Sequence, residues 1–276
     1  MFSLNYKGRL IAYPQPIVMG IINTTPDSFY AGSRKSESDA VLRQTEQMLT
    51  DGATLIDIGG QSTRPGSIRV SEEEELQRVL PSIEALVQRF PEILLSVDTY
   101  YAEVAKQAVA AGALVINDVS AGTIDANLLP TAASLQVPYV LMHMKGTLET
   151  LQNTPDYENV VTEVFDFFSF KIQELHRLGI NDIILDPGFG FGKTAAHNLA
   201  LLKQISFFKQ FQMPILIGLS RKATIYKTLG ITAGEALNGT TVLNTLGLLN
   251  GASILRVHDV KEAVEVVKLV NAYAVD

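Results

Sequence analysis

The sequence predicts an α/β protein folded as one (β/α)8 (TIM) barrel spanning residues 1–276, and three observations carry that expectation. Eight short apolar stretches recur along the chain, at residues 17–23, 54–60, 93–99, 114–120, 139–144, 182–188, 214–220 and 252–259. Their apolar residues run nearly continuously, as parallel strands covered on both faces require. Segments with helical periodicity separate them, and no composition break marks a linker. A doubly wound open sheet is the alternative arrangement. In both, ligands bind at the C-terminal ends of the strands.

Taken in order, the connecting segments carry their own signals. Ser71-Glu-Glu-Glu74 reads as a capping box before Leu76, Val79 and Leu80, with a kink or break expected at Pro81. The glutamates 72–75 read as a solvated helix start that favours the dipole. Thr99 is placed to cap a helix over 102–111, which Gly112 closes. Val160, Val164, Phe167, Phe168, Ile172 and Leu175 form the apolar face of another helix.

Composition excludes several classes. With 47% hydrophobic and 18% charged residues the chain is globular. A net charge of -7 and the lack of any basic run argue against nucleic acid as a partner. No apolar run approaches the roughly 18 residues of a membrane span, and no membrane partner is expected. The N-terminus lacks the apolar core of a signal peptide. The absence of cysteine removes disulfides, thiolate metal sites and cysteine nucleophiles, and fits a cytoplasmic location.

The expected strand tips read Asn23, Gly59-Gly60, Asp98-Thr99, Asn117-Asp118, Met142-His143, Asp186, Ser220-Arg221-Lys222 and Arg256-Val257-His258. One such residue alone is ordinarily a helix cap; a converging ring of them is a site. Arg64, Arg221, Lys222, Arg256 and His258 are donors suited to phosphate oxygens. Asp98, Asn117 and Asp186 are acceptors suited to an amino-substituted, amidine-like heterocycle. His143, flanked by methionines, reads as a packing residue, and Met142 and Phe191 are placed to sandwich a ring or to fill the core. Nothing is assigned to His176 or His197. Gly192-Lys193-Thr194 resembles the end of a phosphate loop, but position 187, where that motif needs glycine, is proline.

Five ordered motifs give the chain a family resemblance: residues 19–29, 57–66, 186–193, 218–222 and 255–259. Through them the sequence closely resembles dihydropteroate synthases over essentially all of 18–263. The resemblance implies a pterin-binding barrel that condenses 6-hydroxymethyl-7,8-dihydropterin diphosphate with 4-aminobenzoate, giving 7,8-dihydropteroate and diphosphate for folate biosynthesis. It implies that Asp98, Asn117, Asp186 and Lys222 hold the pterin, with Met142 and Phe191 near its faces. Asn23 would reach a magnesium ion (Mg2+), and Arg256 with His258 would bind the leaving diphosphate. Thr63 and Arg64, on a loop that closes with residues 24–35, complete the aminobenzoate site, which Ser220 and Arg221 line beside Gly218. A homodimer is also implied.

The chain departs from the family pattern at Gln61, where Glu is common, at Ala223, where Ser is common, and in the 28–34 loop, which lacks the usual second Asp. Two rivals remain: a pterin-binding methyltransferase barrel, and an idle pterin-binding protein.

Overall fold

A computed structural model describes residues 1–24, 34–61, 69–147 and 155–274, with the backbone alone at 34–37. Its strands are β1 (Phe2–Tyr6), β2 (Arg9–Tyr13), β3 (Ile17–Asn23), β4 (Leu55–Gly59), β5 (Leu95–Asp98), β6 (Val115–Asp118), β7 (Tyr139–Met142), β8 (Ile183–Asp186), β9 (Leu216–Ile217) and β10 (Ile254–Val257). Its helices are α1 (Arg34–Thr50), α2 (Glu72–Arg89), α3 (Ala102–Ala111), α4 (Leu128–Leu135), α5 (Val160–Leu178), α6 (Ala195–Lys203), α7 (Ala223–Leu229), α8 (Leu237–Leu249) and α9 (Val260–Tyr273).

The eight strands β3 to β10 form one sheet in the order β8-β7-β6-β5-β4-β3-β10-β9, and every neighbouring pair is parallel. A parallel bridge between Leu185 and Ile215 joins β8 to the chain entering β9, supported by Leu185 N donating to Pro214 O at 2.9 Å. The sheet therefore closes, and the open doubly wound alternative falls. β9 is shorter than its expected stretch because Pro214 has no N–H for a ladder and pairing stops before Gly218.

Alternation along the strands sorts the side chains into two cores. One face packs outward: Ile56, Ile58, Val97, Ile116, Leu141, Leu185, Ile217, Leu255 and Val257 meet helix residues such as Val79, Ile83, Val104, Val164 and Phe168. The other face fills the lumen, where Met19, Leu55, Val115, Val140, Ile184, Leu216 and Ile254 form an apolar floor.

The hairpin β1–β2 closes the barrel beneath that floor, a feature not expected from the sequence. Lys7 and Gly8, both at positive φ (51° and 91°), make the two-residue turn. Leu4, Tyr6 and Tyr13 pack against the floor, and the two buried tyrosine hydroxyls bond each other at 2.8 Å. Asn5 N donates to Asp182 Oδ1 at 2.9 Å, which pins the hairpin to the start of β8.

Several local expectations need correction. α2 runs through Pro81 without a break, because Val79, Ile83 and Leu86 are all anchored in the outer core. Ser71 does accept from Glu74 N, but Glu74 turns to Arg78 instead of completing the box. Glu75 is fully buried, so the acidic run is not wholly solvated. Thr99 accepts from Tyr101 N at 3.1 Å, while Asp125 takes the first helical N–H, that of Ala102, at 2.7 Å; Tyr101, not Thr99, holds the N-cap position of α3.

Candidate active site

Two residues further along, strands β4 to β10 present their next luminal side chains. These are Asp57 after Leu55, Asp98 after Ser96, Asn117 after Val115, Met142 after Val140, Asp186 after Ile184, Gly218 after Leu216 and Arg256 after Ile254. The change from apolar to polar at one level of the barrel is what turns a packed lumen into a site.

Arg256 organises one side. Its Nε donates to Asp57 Oδ2 at 2.6 Å and its Nη2 to Asp98 Oδ2 at 2.7 Å. Asn117 Nδ2 adds a bond to the same Asp57 oxygen at 2.9 Å. Burial pushes the Asp98 carboxyl up, and Arg256 opposes that shift. Asp57 is thus held by both Asn117 and Arg256 through one oxygen, and its Oδ1 has no partner among the described residues. The guanidinium expected to meet diphosphate thus sits deeper, between two acids.

Asp186 stands at the tip of β8, buried, with Oδ1 accepting from Gly188 N at 2.7 Å. Burial raises its carboxyl above the usual range, and Lys222 and the Gly188 N–H act against that. Lys222 reaches back from the start of α7, donates to Phe189 O at 2.5 Å and lies 4.7 Å from the centre of the Phe191 ring. Burial lowers its ammonium to about 8, while Asp186 works to raise it. Phe191, Met142, Tyr100 and Val119 form a small apolar cluster of their own beside these groups. His143 lies off the lumen, buried and bonded to Lys193.

Two glycines of the 188–192 loop are required by the backbone beside them. A Cβ on Gly188 (φ 70°) would lie 1.8 Å from His143 O, and one on Gly192 (φ 62°) 2.1 Å from Lys145 O. They let this loop lie against the backbone that follows β7.

After the neighbouring strands β9 and β10, Ser220 Oγ is 3.0 Å from His258 Nδ1 and accepts from His258 N at 3.2 Å. Desolvation on its packed side, then the nearby Arg256 charge, hold the His258 imidazole below its ordinary pKa. Arg221, in the left-handed region at φ 55°, is committed elsewhere. Its Nε and Nη2 clasp Asp259 at 2.9 and 2.7 Å, and its Nη1 bonds the carbonyls of Ala233 and Gly234 at 3.1 and 2.7 Å. It ties the β9 and β10 tips together.

Asn23 ends β3 half-buried, and its carboxamide bonds no other described residue. Thr63, Arg64 and residues 25–33 lie outside the described residues. Gln61, one of the departures, is bonded to Val70 and to Glu75 of α2. Its Nε2 donates to Glu75 Oε2 at 2.8 Å and Val70 O at 3.1 Å, and its Oε1 accepts from Val70 N at 3.2 Å. Asp57 was missed as a site residue because it lies below the tip; its signal was an acid inside the apolar run Leu55–Gly59. Asp118, at a tip, points out of the lumen and accepts from Tyr139 Oη at 2.6 Å.

A closed (β/α)8 barrel whose lumen gathers four acidic or amide acceptors and two cations above an apolar floor is an enzyme of the class that binds a flat heterocycle next to an anion. The pterin binding enzyme family model matches residues 19–258. Dihydropteroate synthase of Escherichia coli (strain K12) is 42% identical over 268 residues, covering 96% of this chain and 94% of that one. A Yersinia pestis dihydropteroate synthase with a sulfonamide drug complex superposes with a TM-score of 0.92 at 43% identity, covering 99% of each chain. A Xanthomonas albilineans dihydropteroate synthase in complex with 7,8-dihydropteroate gives 0.89 at 39%, covering 99% of this chain and 100% of that one. The chain belongs to the dihydropteroate synthase family.

Proposed function

We propose that this enzyme joins 6-hydroxymethyl-7,8-dihydropterin diphosphate to 4-aminobenzoate, forming 7,8-dihydropteroate and diphosphate. The observation that carries the reading is the convergence of Asp98, Asn117 and Asp186 with Lys222 and Arg256 at one level of the lumen. In it, Asp186 accepts paired N–H bonds from the pterin's aminopyrimidine side, with Asn117 and Asp98 completing the edge. Met142 and Phe191 flank the ring, and Lys222 meets its acceptor atoms. Ser220 and His258, with Arg256 behind them, face the diphosphate end, and Thr63 and Arg64 serve the aminobenzoate side.

The donor set suits magnesium. Among the described residues no group of three or more His, Cys, Asp or Glu could hold an ion, and Asn23 offers one uncommitted carboxamide oxygen. An ion that keeps waters and leans on substrate oxygens needs little more. When bound it would neutralise charge on the departing diphosphate. The protein's part is to fix the pterin so that its methylene faces the amine, and to surround the developing positive charge with acids. No protein nucleophile is required.

The reading includes a cytoplasmic homodimer, supported by the lack of cysteine and by exposed Leu229, Val242, Leu246 and Leu249 on α7 and α8; sedimentation equilibrium tests the latter. Among the described residues no helix is long and apolar enough to cross a membrane. Sulfonamides would compete with 4-aminobenzoate. In the decisive assay diphosphate and dihydropteroate form in equal amounts, and only with both substrates and magnesium present. Methyl transfer from a reduced folate, with no condensation, overturns the proposal in favour of a methyltransferase barrel.

A further inference from the structure

The Gly192-Lys193-Thr194 segment is no phosphate loop, yet its lysine is among the most constrained side chains in the protein. Lys193 Nζ is buried and bonded on all sides: to His143 Nδ1 at 2.9 Å, and to the carbonyls of Gly188, His143 and Phe191 at 3.0, 3.2 and 3.2 Å. Among the described residues no carboxylate forms an ion pair with it. Its three N–H donors serve four acceptors, so one N–H is shared, and an imidazole nitrogen can accept from it only as the Nε2–H tautomer. A buried lysine without a carboxylate partner is costly, and burial draws its pKa down to about 7. The cost is offset by the acceptors gathered round it and by the charge of nearby Asp186.

Those acceptors lie on both sides of the pterin-facing wall. His143 belongs to the chain leaving β7; Gly188 and Phe191 belong to the loop leaving β8. That loop supplies the Gly188 N–H held by Asp186, the Phe189 carbonyl held by Lys222, and the Phe191 ring under the Lys222 ammonium. We infer that Lys193 is a positioning residue for heterocycle binding, an internal ammonium clip that fixes the 188–191 loop and so sets where Asp186, Lys222 and Phe191 present themselves. It touches no substrate. The inference rests on the pterin reading above.

The test is calorimetric binding of 6-hydroxymethylpterin, which cannot react, with steady-state KM values alongside. Lys193→Met keeps the length of the side chain and removes every donor. It is expected to weaken pterin binding by about tenfold or more, the loss of several hydrogen bonds to one charged group, while the KM for 4-aminobenzoate stays within about twofold. Since Lys193→Met also strands three carbonyls and could unfold the protein, a second pair isolates the clip. His143→Leu removes the imidazole acceptor; His143→Asn restores an acceptor oxygen at the same bond distance from Cβ. Weak binding by His143→Leu with recovery in His143→Asn supports the clip. Wild-type affinity in both Lys193→Met and His143→Leu overturns it, as does equal loss in the two His143 variants. Failure of the wild-type protein to bind the pterin sinks the underlying functional reading as well.

Discussion

Replacing Asp57 by Asn probes the part of the site that holds itself together without substrate. Asp57 is fully buried, and one of its oxygens serves two donors, Arg256 Nε at 2.6 Å and Asn117 Nδ2 at 2.9 Å. The substitution keeps the volume, so no cavity arises. It removes the charge facing Arg256, and it sets an amide NH2 where Asp57 Oδ1 now has no partner, leaving a buried donor unsatisfied. A fully stranded buried charge costs about 3–5 kcal/mol. Arg256 keeps Asp98 at 2.7 Å and its side chain is 19% exposed, which lowers the figure. The expected loss is about 2–3 kcal/mol, one weakened charge-assisted bond plus one unsatisfied group. With an m-value of about 3 kcal/mol/M, the urea midpoint falls by about 1 M. Pterin affinity falls with it, because Asn117 and Arg256 lose their common anchor. A variant within about 0.5 kcal/mol of wild type, with unchanged pterin binding, would refute the claim that Asp57 holds this side of the lumen.

Other outcomes follow from the same geometry. Gly188→Ala places a Cβ 1.8 Å from His143 O at φ 70°; the expected cost is at least about 2 kcal/mol in urea unfolding, with weaker pterin binding because the Asp186 contact to Gly188 N is displaced. Burial, with Lys193 nearby, holds the His143 imidazole down at about 2. The unfolded chain therefore binds the extra proton between about 6.5 and 2, and His143 makes stability fall as pH drops through that window. Buried acids with raised pKa slope the other way, so the difference between wild type and His143→Asn is the readout: a shallower acid limb, by about 1.4 kcal/mol per pH unit. Arg221→Lys cannot reproduce the two-point clasp on Asp259; with the pair 27% and 17% exposed, about 1 kcal/mol of stability is lost, and kcat/KM falls through the shifted Ser220–His258 pair. Unchanged kinetics would separate Arg221 from that pair.

Much of this architecture was legible in the sequence because parallel strands buried on both faces announce themselves as apolar runs. β3 matches its predicted stretch end to end, and the other runs overshoot mainly at polar or glycine ends that leave the ladder. The tips Asp98, Asn117, Asp186 and Arg256 were legible because the run stops at a charge or amide. What escaped needed period-two reasoning. Asp57 occupies the luminal position after Leu55, below where a tip-based search looks. The hairpin β1–β2 had a signal, alternating Leu4 and Tyr6 before Lys7-Gly8, but a weak one against the stronger runs. The acidic run at 72–75 misled because only the fold brings Gln61 over Glu75. Arg221 has the composition of a phosphate ligand; the Asp259 that occupies it is brought close only by barrel closure. Likewise only the folded backbone at His143 and Lys145 reveals what Gly188 and Gly192 avoid.

Titration calorimetry of 6-hydroxymethylpterin against wild type and Asp186→Asn decides whether the buried carboxylate at the tip of β8 is the pterin anchor. A neutral amide cannot accept two parallel charge-assisted bonds, so the expected loss is about 2 kcal/mol or more, roughly thirtyfold in affinity, with the fold intact. Equal affinity in the two proteins would contradict it.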